Sequence, residues 1–267
     1  MAEYFIHSTL ILGVAYIIYR LLLRNTHAFH FNRFYLLTTF ILALSLPLIE
    51  FEIISNQSIN IPFNQSASLE KEITEPQHQL TSIEVVDQQQ SPFFSFQNIY
   101  LLGLSLLGLR FVFRLFHLYR LSQKKHIKRN GMRFIQTQEN SVFSFFNCIF
   151  VPEKAFQEEQ ISTELIEHEK VHAKEMHSLD HILVEIGILI AWLNPVVWLM
   201  KKAIEENHEF IADEKAASNK VIYCKILLNA SSGKYHPLSS GFSYKSLKKR
   251  IQMINQDKPS KMKTKSK

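Results

Sequence analysis

Cysteine is nearly missing from this sequence: Cys148 and Cys224 are the two in 267 residues. Neither has a second cysteine nearby, so a structural zinc site of the cysteine type is excluded. Charge is missing next, and from particular places. Phe5 to Leu23 holds Arg20 as its one formal charge, Phe34 to Ile49 holds none, and Ile99 to Leu118 holds Arg110 and Arg114. Each run approaches the roughly 20 residues that cross a bilayer. The first also lacks a basic n-region and a small-residue cleavage site, so an anchor is expected rather than a removable signal peptide. Arg110 and Arg114 are costly in lipid and should face protein or snorkel toward the cytoplasmic end. The fold class expected is mainly α, a multi-pass helical membrane protein.

Positive charge is scarce between Glu50 and Asn98. Glu50, Glu52, Glu70, Glu72, Glu75, Glu84 and Asp87 stand there against Lys71. Arg20, Arg24 and Arg33 flank the first connection, and Arg120, Lys124, Lys125, Lys128 and Arg129 follow the third run. The positive-inside rule then puts the N-terminus and the acidic connection outside, and everything after Leu118 in the cytoplasm, where both thiols should stay free. The net charge of +6 comes without a nucleic-acid recognition motif. Membrane orientation accounts for it, and direct nucleic-acid binding is not expected. The acidic connection, rich in Gln, Ser and Asn, reads as a polar linker.

What is present is concentrated in His168-Glu169-Lys170-Val171-His172. Residues four apart share a helix face, so His168 and His172 can offer imidazoles to one zinc while Glu169 projects toward an attacking water. Ser162 or Thr163 can cap this helix, and Glu164 and Glu167 suit its N-terminal dipole. A catalytic zinc needs a third ligand and one open position. Glu209, in Glu209-Phe-Ile-Ala-Asp213 on the helical run Lys201 to Ala217, can supply it. Asp213, one turn on, can hold a ligand histidine's other N–H. Charged helix faces or another metal are the competing accounts of the same residues.

The surrounding chain constrains the site. Met132 to Thr137 and Val142 to Val151 are aromatic and β-branched runs around Gln138-Glu139-Asn140, and read as a small β-hairpin. An exposed strand there could pair with an extended peptide, or the hairpin is simply core. Ile182 to Met200 has the hydropathy of a fourth span. A straight crossing would move the chain about 30 Å and put His172 and Glu209 on opposite membrane faces. The zinc reading therefore requires this segment to turn back at Asn194-Pro195. The end of the chain is basic and polar, suited to disorder or to anionic lipid.

Together, His168-Glu-Lys-Val-His172, Trp192-Leu-Asn-Pro-Val-Val-Trp198, Asn207-His-Glu-Phe-Ile-Ala-Asp213 and Lys249-Arg-Ile-Gln-Met253 resemble the BlaR/MecR-type regulatory membrane metallopeptidases, from the first span to about Asn255. Glu-Phe-x-Ala-Asp is also similar to the element of HtpX and the CAAX prenyl endopeptidases whose Glu is the third zinc ligand. The resemblance implies zinc held by His168, His172 and Glu209, water activated by Glu169, and a ligand oriented by Asp213. His236-Pro237 is similar to a His-Pro element that steadies the reaction oxyanion in the prenyl endopeptidases, although its spacing to Arg250 differs. The best-known family members continue into a further span and a penicillin-binding sensor. This sequence ends in a basic tail, so beta-lactam sensing is not expected.

The organisation expected is two membrane helices over 1–49, an extracytoplasmic linker over 50–98, and a third membrane helix over 99–118. A cytoplasmic-side, zincin-like peptidase domain follows over 119–255, and a disordered basic tail over 256–267. By analogy with the family, the protein sits in a bacterial plasma membrane and cleaves a cytoplasmic regulator or itself in signal transduction. Two readings from other classes remain open. Glu169-x-x-His172 and Glu205-x-x-His208, with Glu185, have the spacing of a di-iron carboxylate oxidoreductase. A non-catalytic membrane signalling scaffold is the other.

Overall fold

The computed structural model describes residues 2–48, 96–129, 131–139, 142–153, 162–229 and 244–256. The acidic connection through residue 95, His236, and the tail from residue 257 lie outside the described residues. Helix α1 (Ala2–Ile18) runs on through a π-turn at Tyr19–Leu23, α2 covers Phe29–Ser45 and α3 covers Phe96–Ser122. Four strands follow: β1 (His126–Arg129), β2 (Met132–Thr137), β3 (Phe143–Phe145) and β4 (Cys148–Pro152). Five helices complete the described chain: α4 (Thr163–Lys174), α5 (His177–Ala191), α6 (Pro195–Ala216), α7 (Lys220–Asn229) and α8 (Tyr244–Asn255). The protein is mainly helical with one small sheet.

Two stretches, Glu3–Leu23 and Gln97–Ser122, are long and apolar enough to cross a membrane. They correspond to the first and third apolar runs. None of the apolar window of the second is buried, and so large an exposed apolar surface marks a face for lipid or protein. The second run forms α2, of 17 residues, about 25 Å long at 1.5 Å per residue. Arg114 of α3 faces protein, with Nη1 3.8 Å from Glu185 Oε1.

The segment from Ile182 to Met200 turns back. Helix α5 ends at Ala191, and Asn194 caps α6 by accepting from Val196 N–H at 3.0 Å, with Pro195 at the first helical position. The reversed chain is pinned along its length: Lys201 Nζ donates to Glu185 at 2.5 Å, and His208 Nε2 meets Asp180 at 2.8 Å. This hairpin packs on α1 and α2 through Leu12, Leu36, Phe40, Val184, Ile188, Met200 and Ile204, all essentially inaccessible.

The sheet departs from the expected hairpin. Its order is β1-β2-β4-β3: β1 is antiparallel to β2, and β4 is parallel to β2 on one edge and antiparallel to β3 on the other. The run Val142 to Val151 is broken at Phe146, whose φ of 47° is left-handed, so one apparent strand becomes two. Burial explains the change. Cys148, Ile149, Phe150 and Val151 are almost fully inaccessible, and a strand buried on both faces gains from a ladder on each edge. Strand β1, exposed throughout, was hidden in the sequence as part of the basic flank of α3. Cys148 is buried and Cys224 partly buried, and both are free.

Gly187 of α5 lies against Phe40 of α2, where an added Cβ would collide with the ring and with Leu44. Gly187→Val should lower stability by about 1–3 kcal/mol through overpacking, whereas Gly13→Ala, mid-helix with open space around it, should leave stability unchanged or raise it by up to about 1 kcal/mol. Thermal unfolding of the two variants in detergent checks this; equal midpoints would show that α2 and α5 can separate freely.

Candidate metal centre

Helix α4 begins where Ser162 Oγ accepts from Leu165 N–H, and Glu164 in its first turn complements the dipole. It stops after Lys174 because Met176 takes a left-handed conformation at φ 55°, and α5 starts in a new direction. One face of α4 therefore carries His168 and His172 one turn apart. Val171 of α4 packs with Phe210, Ile211 and Ala212 of α6, and this contact sets Glu209 opposite the two imidazoles.

The ligand atoms of His168, His172 and Glu209 all lie within 4.8 Å of one another. The two Nε2 atoms are 3.1 Å apart, Glu209 Oε2 is 3.5 Å from His168 Nε2, and Oε1 is 3.7 Å from His172 Nε2. Ligands held ~2.0–2.1 Å from a tetrahedral zinc are separated by about 3.3–3.4 Å. The observed spacings bracket that value, so the donor set fits such an ion in kind and in size. Among the described residues this is the one such group. The two E-x-x-H pairs do not share a centre: His208 is engaged by Asp180, and Glu205 faces His181 and Lys201.

Behind each imidazole stands a second group. Tyr223 Oη of α7 is 2.8 Å from His168 Nδ1 and donates to Asp213 Oδ1 at 2.7 Å. Asp213 Oδ1 itself is 3.4 Å from His168 Nδ1, so the tyrosine is the nearer partner of that histidine. Nδ1 of His172 lies 2.7 Å from Nδ1 of His177. Arg250 of α8, 2% exposed, bridges the centre from behind. It reaches Glu209 Oε2 at 2.7 Å and Asp213 Oδ2 at 2.8 Å.

These contacts set the protonation states. Burial pushes the Glu209 and Asp213 carboxyls up, but Arg250 and His168 outweigh it and hold both below the usual carboxylate range, Glu209 well below. Burial pulls His172 down to about 3, which leaves it neutral with a lone pair to offer. Burial also opposes charge on His168, yet its bonds to Asp213 and Glu209 prevail and lift it to about 9. Burial raises Glu169 to about 7, against the pull of His168 and of a hydrogen bond to Ser144 on β3. A carboxyl poised there can both take and give a proton near neutrality.

The sequence-derived set thus divides cleanly. His168, His172 and Glu209 meet, Glu169 lies beside them on α4, and Asp213 sits behind His168. His236 lies outside the described residues. Three neighbours went unassigned in the sequence: Tyr223, His177 and Arg250. A signal existed for the last, because Leu247, Arg250 and Ile254 share one buried face of α8, and a charge on an apolar helix face needs a partner. Tyr223 reads as an ordinary core aromatic.

No curated protein matches the chain. Residues 140–254 match the family described as BlaR1 peptidase M56, a stretch that runs from β3 through α8 and contains every side chain of the centre. The segment that carries the centre belongs to the BlaR1 peptidase M56 family, the family its motifs resemble.

Proposed function

We propose that this chain is a membrane-embedded zinc endopeptidase whose peptidase domain, residues 119–255, faces the cytoplasm and makes site-specific regulatory cuts in a cytoplasmic protein or in itself. The observation that carries the reading is the convergence of His168 Nε2, His172 Nε2 and a Glu209 carboxylate oxygen within 4.8 Å, with Glu169 on the same helix. In this reading the three side chains hold the ion and Glu169 is the catalytic base. The bound ion supplies Lewis acidity to the scissile carbonyl and to the attacking water. Glu169 takes the water's proton and passes it to the leaving amine. Asp213 and Tyr223 fix His168, and Arg250 keeps Glu209 ionised.

Two further features support the placement. The arginines of the first connection reach the centre's end of the bundle: Arg24 pairs with Glu206 and Arg33 with Asp180. At the other end Tyr4 bonds to Leu44 O, and Tyr100 to Ile190 O near the tip of the α5–α6 hairpin. A basic connection and a peptidase centre on one side agree with the positive-inside assignment of both to the cytoplasm. Strand β3, at the edge of the sheet, is bonded on one side by β4 and touches Glu169 through Ser144. Its outer edge, unpaired among the described residues, suits an extended substrate peptide, whose backbone it would pair with beside the base.

Glu169→Gln should keep the metal and abolish cleavage, since the ligands remain and the base is lost; cleavage by a metal-replete Glu169→Gln chain would remove Glu169 from this role. Glu209→Gln should instead weaken zinc binding, by at least the roughly 10–100-fold that loss of a group behind a ligand costs, and unchanged affinity would point to another third ligand. A pH dependence follows from His168. Its pKa of about 9 means that below pH 9 the ion must displace a proton. Zinc affinity should therefore rise by up to about tenfold per unit between pH 6 and 8. A flat profile in that range would contradict the protonated His168.

A further inference from the structure

A metal-ligating histidine ordinarily gives its outer N–H to a carboxylate, a carbonyl or a water. His172 departs from that pattern. Its Nδ1 faces Nδ1 of His177 at 2.7 Å, and two ring nitrogens can bond only when one of them carries the proton. If Nε2 of His172 faces the ion, its proton is on Nδ1, and His177 must accept it through a bare Nδ1. His177 is then fixed as the Nε2–H tautomer.

His177 is held in that attitude by a buried column. It is 1% exposed, in the first turn of α5 just after left-handed Met176. Its ring stacks on His208 of α6 with centroids 4.0 Å apart and planes 12° from parallel. His208 Nε2 is 2.8 Å from Asp180 Oδ2, which also accepts from Arg33 Nε of α2 at 2.7 Å. Arg33 Nη2 in turn donates to Glu175 O at 2.8 Å, at the junction between α4 and α5. Burying this many polar groups gains little stability on balance, and the column ends on a ligand atom of the centre.

We infer that His177 is the positioning residue of His172: its bare Nδ1 keeps the His172 proton on Nδ1 and turns Nε2 toward the ion, while His208, Asp180 and Arg33 lock the His177 ring in place. This rests on the zinc reading of the centre given above.

The test uses the full chain in detergent, with zinc affinity from chelator competition and the visible absorption of the Co²⁺-substituted protein. His177→Leu keeps bulk without an acceptor; His177→Asn places Oδ1 where Nδ1 stood. His177→Leu should weaken zinc by about 10–100-fold and shift the cobalt bands, and His177→Asn should recover most of the affinity and the native spectrum. Native affinity and spectrum in His177→Leu would overturn the inference. So would a His177→Asn chain that is folded, by its thermal midpoint, yet binds as weakly as His177→Leu, because packing alone would then be at issue. His172→Ala separates the two levels. If it binds zinc like the native chain, the zinc reading itself falls; if it loses zinc while His177→Leu does not, only the positioning role falls.

Discussion

Everything here depends on a reversal of the chain at Trp192–Asn194. The centre draws two side chains from α4 and one from the far half of α6, with a long apolar helix between them. Only an antiparallel return brings Glu209 to His168 and His172, and Asn194 with Pro195 makes that return possible by ending one helix and capping the next. The return is then held by polar clasps, Lys201 to Glu185 and His208 to Asp180, and by apolar packing on α1 and α2. The hairpin is both the scaffold of the centre and its attachment to the apolar bundle.

The second constraint is charge. Glu209 and Asp213 are two acids one turn apart on the same buried helix face, and two such carboxylates repel and lose hydration. Arg250 answers both with its planar fork. Truncating one partner of such a buried pair typically costs roughly 3–5 kcal/mol. Helix α8 is thereby tied to the centre as firmly by charge as by Leu247 and Ile254 in its apolar cluster. The histidines divide the remaining work: His168 is backed by Tyr223 and Asp213, and His172 by the imidazole of His177, itself stacked on His208.

Much of this was legible in the sequence, for identifiable reasons. Two ligands four apart on one helix are fixed by helix geometry, and a catalytic zinc's need for a third ligand pointed to the carboxylate of Glu209 on a later helix. The turn at Asn194-Pro195 was legible because the ligands demand it. The sheet was not, since parallel pairing of β2 with β4 is a non-local contact that no short-range pattern encodes. Phe146 in a left-handed conformation has no local sequence signal either; a bulky residue there is unusual, and it is held by its N–H bond to Ser178 Oγ. His177 was visible as a letter but not as a neighbour of His172. At a spacing of five, it reaches that ring only because Met176 breaks the helix between them.

The most direct test of the account is the metal content of the detergent-purified chain, by elemental analysis, beside a His168→Ala variant. The account predicts about one zinc per native chain and its loss in the variant. A folded native chain without metal, or two irons retained when His168 is gone, would contradict it.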